Sequence, residues 1–107
     1  MTTSNSRPER VTVSFNRFRQ KVRSIAIDIA AVPDGYVYDT VPVPPERYNY
    51  EGVVDALVSH KFPTDKMQAI INNYLLDVQD ENALREFREM QLWRSEAKQI
   101  AREIFPE

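Results

Sequence analysis

A chain of 107 residues with a formal net charge of −2 has the length of one small domain with a modest core. It contains no cysteine, which excludes disulfides and thiolate metal sites, and only two glycines, which excludes a glycine-rich phosphate loop. No apolar run approaches the roughly 18 residues of a membrane span, and no secretory signal pattern is present. With no cysteine in the chain, this fits a reducing cytoplasm or a particle assembled there.

The first residues differ from the rest of the chain in charge. Residues 1–23 contain six basic side chains and one acidic one, whereas residues 24–107 contain eight basic and fifteen acidic side chains. Residues 1–10 also lack hydrophobic periodicity, so we predict a basic arm that is disordered alone and orders against a partner. Such an arm can dock on an acidic protein or on nucleic acid, or remain a solvated tail.

Residues 11–45 fit two kinds of secondary structure. Over residues 15–32 a three-four spacing of apolar residues favours a helix, while local alternation favours strands. Pro33-Asp34-Gly35 favours a β-hairpin, because it is a turn signature followed by alternating residues. We predict that residues 24–32 pair with residues 36–43, after a short helical turn within residues 16–23. A lone hairpin is marginally stable, which suggests that it lies on a neighbouring subunit.

Prolines lie at the end of the predicted hairpin and just beyond it. Pro42, Pro44 and Pro45 are expected to exclude a further central strand after the hairpin and to form a stiff extended connector into the C-terminal half. The predicted fold class is therefore α+β, with an N-terminal extended arm and β-hairpin followed by a three-helix C-terminal module. Its segments are the arm (1–10), the helical turn, hairpin and connector (11–45), and the helical module (46–107).

The module contains three helical patterns. The first helix is predicted to open at Asn49 or Tyr50 and the second to have Thr64 as its N-cap. The third and longest extends from its N-cap Asp80 to residue 104. The second helix is predicted to turn inward Met67, Ile70, Ile71, Tyr74 and Leu75. The apolar stripe of the third comprises Ala83, Phe87, Met90, Trp93, Ala97, Ile100, Ala101 and Ile104.

No residue pattern indicates a catalytic, cofactor-binding or metal site. His60 is the only histidine, and its neighbour Ser59 would not face it on a helix. Paired carboxylates on the helices lack the density of oxygen ligands that a calcium site needs. The second helix also offers few side chains for reading DNA bases. We therefore expect a non-enzymatic protein that uses no cofactor.

Two sets of residues are candidates for contacting a partner. Leu84 and Leu92 lie off the apolar stripe of the long helix, and a helix that is apolar on two sides is normally covered on two sides. Tyr36 and Tyr38 come just before the prolines and suit an apolar contact. The cations predicted to dock electrostatically are Arg7, Arg10, Arg17, Arg19 and Arg23.

Residues 48–102 contain a recognisable series of motifs: Tyr48-x-Tyr50-Glu51, Leu57, Phe62-Pro63-x-Asp65, Ala69-Ile70-Ile71, Glu86-Phe87, Met90-Gln91-x-Trp93-Arg94 and Ala97-Lys98-x-x-Ala101. This series resembles a family of small virion-associated or structural proteins encoded by tailed bacteriophages and by prophages of gut bacteria. The resemblance implies a structural adaptor located in a virion or in the host cytoplasm, and it carries over no catalytic residue.

The sequence thus predicts a structural or assembly protein, a head, neck or fibre component or adaptor of a bacteriophage. Its expected partners are protein subunits of a larger assembly, with homo-oligomers as an option and no membrane. The alternative function is a small nucleic-acid-binding regulatory protein that uses the basic N-terminal segment.

Overall fold

The computed structural model describes residues 2–106, which form four strands, a short 3-10 helix at Pro45–Arg47 in the proline connector, and three α-helices. This confirms the predicted α+β fold class. The chain divides into two compact units, Met1–Tyr48 and Asn49–Glu107, although its length predicted one domain. The elements are β1 (Thr2–Ser4), β2 (Val11–Phe15), β3 (Lys21–Val32), β4 (Gly35–Val43), α1 (Tyr50–Lys61), α2 (Thr64–Leu76) and α3 (Glu81–Ile104).

The strands form one antiparallel sheet in the order β1-β4-β3-β2. The predicted hairpin is confirmed as β3 and β4, which are joined at Pro33 and Asp34 with Val32 opposite Gly35. Residues 15–32, for which the sequence left helix and strand open, form strands apart from a turn at residues 16–20.

A β-bulge interrupts β3. Ile27 lies opposite Asp39 but Ala30 lies opposite Val37, so β3 has one residue more than β4 over this stretch. Asp28 takes up the extra residue with a φ of 53°, a left-handed conformation that aspartate tolerates better than most side chains. The apolar alternation that places Ile25 and Ile27 on one face of the sheet therefore ends at the bulge.

Two predictions for the first 23 residues are wrong. Thr2–Ser4, predicted to lie in a disordered arm, pair with residues 36–38 of β4, so this part of the arm is an edge strand of the chain's own sheet. Met1 lies outside the described residues. The helical turn predicted within residues 16–23 is absent, because Val11–Phe15 pair with Lys21–Ile25 and leave only a tight turn between the strands.

Pro42 lies inside β4, as the predicted strand over residues 36–43 requires, although β4 is a central strand of the sheet. It is opposite Ser24. Because Ala26 N–H donates to Arg10 C=O, even-numbered residues of β3 direct their backbone groups toward β2 and odd-numbered ones toward β4 before the bulge. Ser24 and Pro42 are therefore a non-hydrogen-bonded pair, and the missing proline N–H costs no ladder bond.

The helices follow the predicted pattern with two exceptions. Asn49 caps α1 by accepting from Gly52 N–H at 2.8 Å, and Asp80 caps α3 by accepting from two amides of its first turn. Thr64 is not a cap: the extended backbone of Pro63 precedes α2 directly, so Thr64 already lies in its first turn. Leu75, predicted to point inward, is 69% exposed.

The exposure of Leu75 follows from how α2 packs on α3. The rings of Tyr74 and Phe87 stack with centroids 4.3 Å apart, which sets the side of α2 that faces α3. Successive helical residues point about 100° apart, so Leu75 turns away from the contact made by its neighbour.

Each unit has its own set of buried apolar residues. On the sheet, residues directly opposite each other share a face, so Val11, Ile25 and Val41 lie on the same side. The buried apolar residues of the sheet unit are Ile25, Ala26, Ile27, Val41 and Val43. Those of the helical unit are Val53, Leu57, Val58, Ile70, Ala83, Met90, Trp93, Ala97, Ile100 and Ala101.

Trp93 joins α3 to α1. Its indole Nε1–H donates to Leu57 C=O at 2.8 Å, and Lys61 Nζ lies 4.0 Å from the centre of its ring. The indole therefore has a hydrogen-bond partner as well as apolar neighbours, which is the usual requirement for burying tryptophan.

Candidate protein-binding surface

The turn between β2 and β3 is held by the side chain of Asn16. Its Oδ1 accepts from Phe18 N–H at 2.9 Å and from Gln20 N–H at 3.0 Å, and its Nδ2 donates to Gln20 Oε1 at 3.0 Å. Arg19 N–H donates to Asn16 C=O at 2.9 Å, and Arg19 has a φ of 60°. Asparagine commonly organises turns in this way, because its side chain can replace a backbone acceptor.

This turn and the end of β2 expose apolar side chains. Val13 is 50%, Phe15 67% and Phe18 69% exposed. Single exposed apolar residues are normal on protein surfaces, but three within six residues of one hairpin form a local cluster. We call Val13, Phe15, Arg17, Phe18 and Arg19 the β2 tip.

The β2 tip is also basic. Arg17 and Arg19 are both exposed, and the guanidinium carbon of Arg17 lies 4.9 Å from the centre of the Phe18 ring. An arginine held over an aromatic ring keeps its charge available to solvent while its stem covers apolar surface. The tip therefore offers aromatic area and positive charge at the same place.

The five arginines predicted to dock electrostatically differ in exposure and in the contacts they make. Arg7, Arg17 and Arg19 are exposed, but the other two are engaged inside the sheet unit. The Arg10 side chain donates to Ala26 C=O across the sheet, and Arg23 stacks over the Tyr48 ring at 4.2 Å. The structure therefore brings Arg17 and Arg19 together at the tip and gives Arg10 and Arg23 structural contacts.

The predicted apolar contact residues also fall in different environments. Tyr36 and Tyr38 are half-buried and lie opposite Ser4 and Thr2, so β1 occupies the edge beside them. Leu84 is half-buried on α3, whereas Leu92 on the same helix is 65% exposed.

A second exposed apolar cluster lies where α2 ends. It consists of Leu75, Leu76 and Val78, and the acidic residues Asp77 and Asp80 are beside it in sequence. A helix C-terminus carries partial negative charge, which adds to that of the carboxylates. This surface is opposite in sign to the β2 tip.

Little in the described chain suggests chemistry. Residues 2–106 contain no group of three or more His, Cys, Asp or Glu side chains able to hold a metal ion. A groove of about 300 Å³ in the helical unit is lined by apolar and polar residues of all three helices: Val54, Asp55 and Val58 of α1, Thr64, Met67, Gln68 and Ile71 of α2, and Arg94 and Lys98 of α3. The lining includes no histidine, cysteine or serine, while Asp55, Thr64 and Lys98 belong to residue types that can act as base or nucleophile.

Among the helices of residues 2–106, none is both long enough and apolar enough to cross a membrane.

Sequence reasoning missed three residues of the tip, Val13, Phe15 and Phe18. The signal was present in the alternation Val11, Val13, Phe15 and in the cation–aromatic alternation from Arg17 to Arg19. The competing helical interpretation counted Phe15 and Phe18 in a three-four apolar repeat, whereas a strand followed by a turn exposes both.

No family model, curated protein or solved structure matches the chain. The resemblance of residues 48–102 to bacteriophage virion proteins therefore stays a prediction, and the surface itself is the basis for a function.

Proposed function

We propose that this chain is a non-enzymatic assembly protein that docks on neighbouring protein subunits through the β2 tip. The observation that carries the proposal is the exposure of Phe15 and Phe18 beside Arg17 and Arg19. Aromatic residues and arginine are enriched at the centres of protein interfaces. Burying each phenylalanine on docking would contribute roughly 1.5–3 kcal/mol before the cost of ordering.

The resemblance in the helical unit supports a bacteriophage particle as the assembly concerned. If so, the chain should co-sediment with particles released by the cells that produce it and be present at a constant ratio to the major particle protein. Density-gradient fractionation followed by quantitative mass spectrometry measures this. A chain that stays with the free proteins in every gradient would remove the virion from the proposal.

Docking through the tip can be tested inside the producing cells. A photo-cross-linking phenylalanine analogue replaces Phe18, and the cells are irradiated. We expect a discrete protein adduct, whose partner is identified by mass spectrometry. Reversing the neighbouring charges (Arg17→Glu with Arg19→Glu) should reduce the adduct severalfold, because the cations are then replaced by anions.

The matched control places the same analogue at Gln99, an exposed position on α3. We expect the Phe18 position to give the adduct and the Gln99 position not to give it. Equal yields at the two positions, or no protein adduct at Phe18, would contradict docking through the tip.

Nucleic-acid binding is a second candidate function, because arginines interleaved with exposed aromatics can also contact phosphates and stack on bases. Titrating single- and double-stranded oligonucleotides at low and moderate salt separates the two candidates. Steeply salt-dependent binding that is lost in the Arg17→Glu, Arg19→Glu variant would favour the regulator. Weak binding, unchanged in that variant, would favour the assembly protein.

A further inference from the structure

We propose that the open edge of β2 receives an extended acidic segment of another protein, which pairs with β2 as a fifth strand. The inference rests on the proposed function and specifies its partner and its mode of contact.

The backbone of β2 supplies the first argument. Ala26 N–H donates to Arg10 C=O at 2.8 Å, and Asn16 N–H donates to Gln20 C=O at 3.1 Å. The even-numbered residues from 10 to 16 therefore direct their backbone groups toward β3, since hydrogen-bonded pairs alternate along an antiparallel ladder. Val11, Val13 and Phe15 direct theirs to the other side, where no strand of residues 2–106 pairs.

The two edges of the sheet differ in how they are protected. β1 is a polar strand of three residues, and short polar edges recruit other strands poorly. β2 has five residues with neither proline nor charge within it, and no bulge disturbs its pairing with β3. Proteins usually protect an open edge with a very short strand, a proline, a charged residue or a bulge. The edge of β2 has none of these and is therefore suited to strand addition.

Side chains beside the edge supply the second argument. Val13 and Phe15 lie on the same face of the sheet and are more exposed than the buried Ile25 and Val41 of that face. Alternate apolar residues of an added strand would contact them while its backbone pairs with β2. Pairing gives a defined register, and the two side chains add apolar area.

Charge identifies the occupant. Residues 7–21 contain five basic side chains and one acidic one, and none of the basic ones lies within β2 itself. Two copies of this segment paired edge to edge would bring like charges together, which disfavours a second copy. A segment that has apolar residues in its centre and Asp or Glu at its ends complements both the strand and its flanks.

The test uses a defined peptide and the full chain. The peptide has alternating valine and threonine with glutamates at both ends, and its counterpart has lysines instead. NMR-detected amide exchange should show that the acidic peptide slows exchange at Val11, Val13 and Phe15. Affinity should exceed that of the lysine peptide by roughly tenfold at low salt, and the difference should shrink as salt screens the charges.

Substitution of Val13 tests the backbone contact. Val13→Pro removes one outward N–H but no ladder bond to β3, so we expect peptide binding to be lost. Val13→Thr keeps that N–H and replaces only one methyl group of the contact, so it should weaken binding far less than Val13→Pro does. If Val13→Pro fails to fold, two peptides N-methylated on alternate sets of amides replace it. Only the peptide with free amides on the side facing β2 should then bind.

Several outcomes overturn the inference. These are equal affinity for the acidic and lysine peptides, unchanged binding by Val13→Pro, and no slowing of the three amides. Slowing that depends on protein concentration alone would assign the edge to a second copy, and oligonucleotide-induced slowing would assign it to nucleic acid. A protein adduct at Phe18 despite these results would retain the proposed function and reject only strand pairing.

Discussion

Both units leave large apolar side chains in solvent, but the backbone beneath those side chains differs. In the helical unit the cluster of Leu75, Leu76 and Val78 lies at the end of α2, where the N–H groups of Leu75 and Leu76 are used inside the helix. In the sheet unit Val13 and Phe15 lie on an edge strand, with backbone groups directed away from β3.

The difference matters because apolar contact has no direction, whereas backbone pairing imposes a register. A partner at the α2 cluster would be held mainly by area and by the acidic residues nearby. A partner at β2 would also be aligned residue by residue. The sheet unit is therefore the better candidate for a specific contact.

The units also differ in what holds them together. The helical unit depends on buried side chains, above all Trp93, which fills the α1–α3 contact and donates a hydrogen bond. The sheet unit depends on strand pairing between segments that are distant in the chain, such as β1 with β4. The predictions below test these two kinds of stabilisation.

Trp93→Ala is expected to have the largest effect. It removes a buried indole and leaves Leu57 C=O without that donor, so the free energy of unfolding should fall by about 3–5 kcal/mol. Urea denaturation followed by far-UV circular dichroism measures the loss, since Trp93 is the only tryptophan and its fluorescence is removed.

The matched control is Leu92→Ala, at the neighbouring position on α3. Leu92 is 65% exposed, so its truncation should change the free energy of unfolding by less than about 0.5 kcal/mol. Equal losses from the two substitutions would mean that the helical unit does not depend on the contact around Trp93.

The same difference explains what the sequence could predict. The helical unit follows from local signals, since apolar spacing and the caps Asn49 and Asp80 mark α1 and α3 within a few residues. The turn signature at Pro33 and Asp34 located the main hairpin for the same reason. Signals of this kind act between residues that are close in the chain.

What the sequence missed depends on pairing between distant residues. Thr2–Ser4 have no pattern of their own and become a strand only because β4 offers an edge. The apolar residues of the β2 tip were missed because Phe15 and Phe18 fit a helical spacing, which the pairing of β2 with β3 excludes.

Gly35→Ala tests the sheet through its backbone and should have the next largest effect. Gly35 has a φ of 146°, and a Cβ built there would clash with the backbone carbonyl oxygen of Ser4. Strain and displacement of β1 should together lower the free energy of unfolding by about 2–3 kcal/mol, as measured by urea denaturation.

Removing residues 2–5 separates these two causes. In the shortened chain the clash with Ser4 is absent, so Gly35→Ala should cost measurably less than in the full chain. An identical cost in both chains would show that β1 does not pack against Gly35 in solution.

A pair of valines compares the inside of the sheet with its open edge. Val41 is 3% exposed and Val13 50% exposed. Val41→Ala should lower the free energy of unfolding by about 2 kcal/mol, and Val13→Ala by less than half of that, since less apolar area is lost. Comparable losses measured by urea denaturation would indicate that the edge is already covered, for example by a second copy.

Arg19→Gly should have the smallest effect and the opposite sign. Arg19 holds a φ of 60°, which costs a non-glycine residue about 1 kcal/mol, while glycine adopts it freely but gains entropy in the unfolded chain. The net change should be a stabilisation of roughly 0.5 kcal/mol, because the relief of strain outweighs the entropy that the unfolded chain gains.

The same substitution removes a cation from the β2 tip, so the photo-adduct at Phe18 should decrease while the melting temperature rises. A surface selected only for folding would not be expected to keep a strained arginine there. If Arg19→Gly leaves the adduct unchanged, the charge that matters for docking lies elsewhere, and Arg17→Gly, which relieves no such strain, becomes the informative comparison.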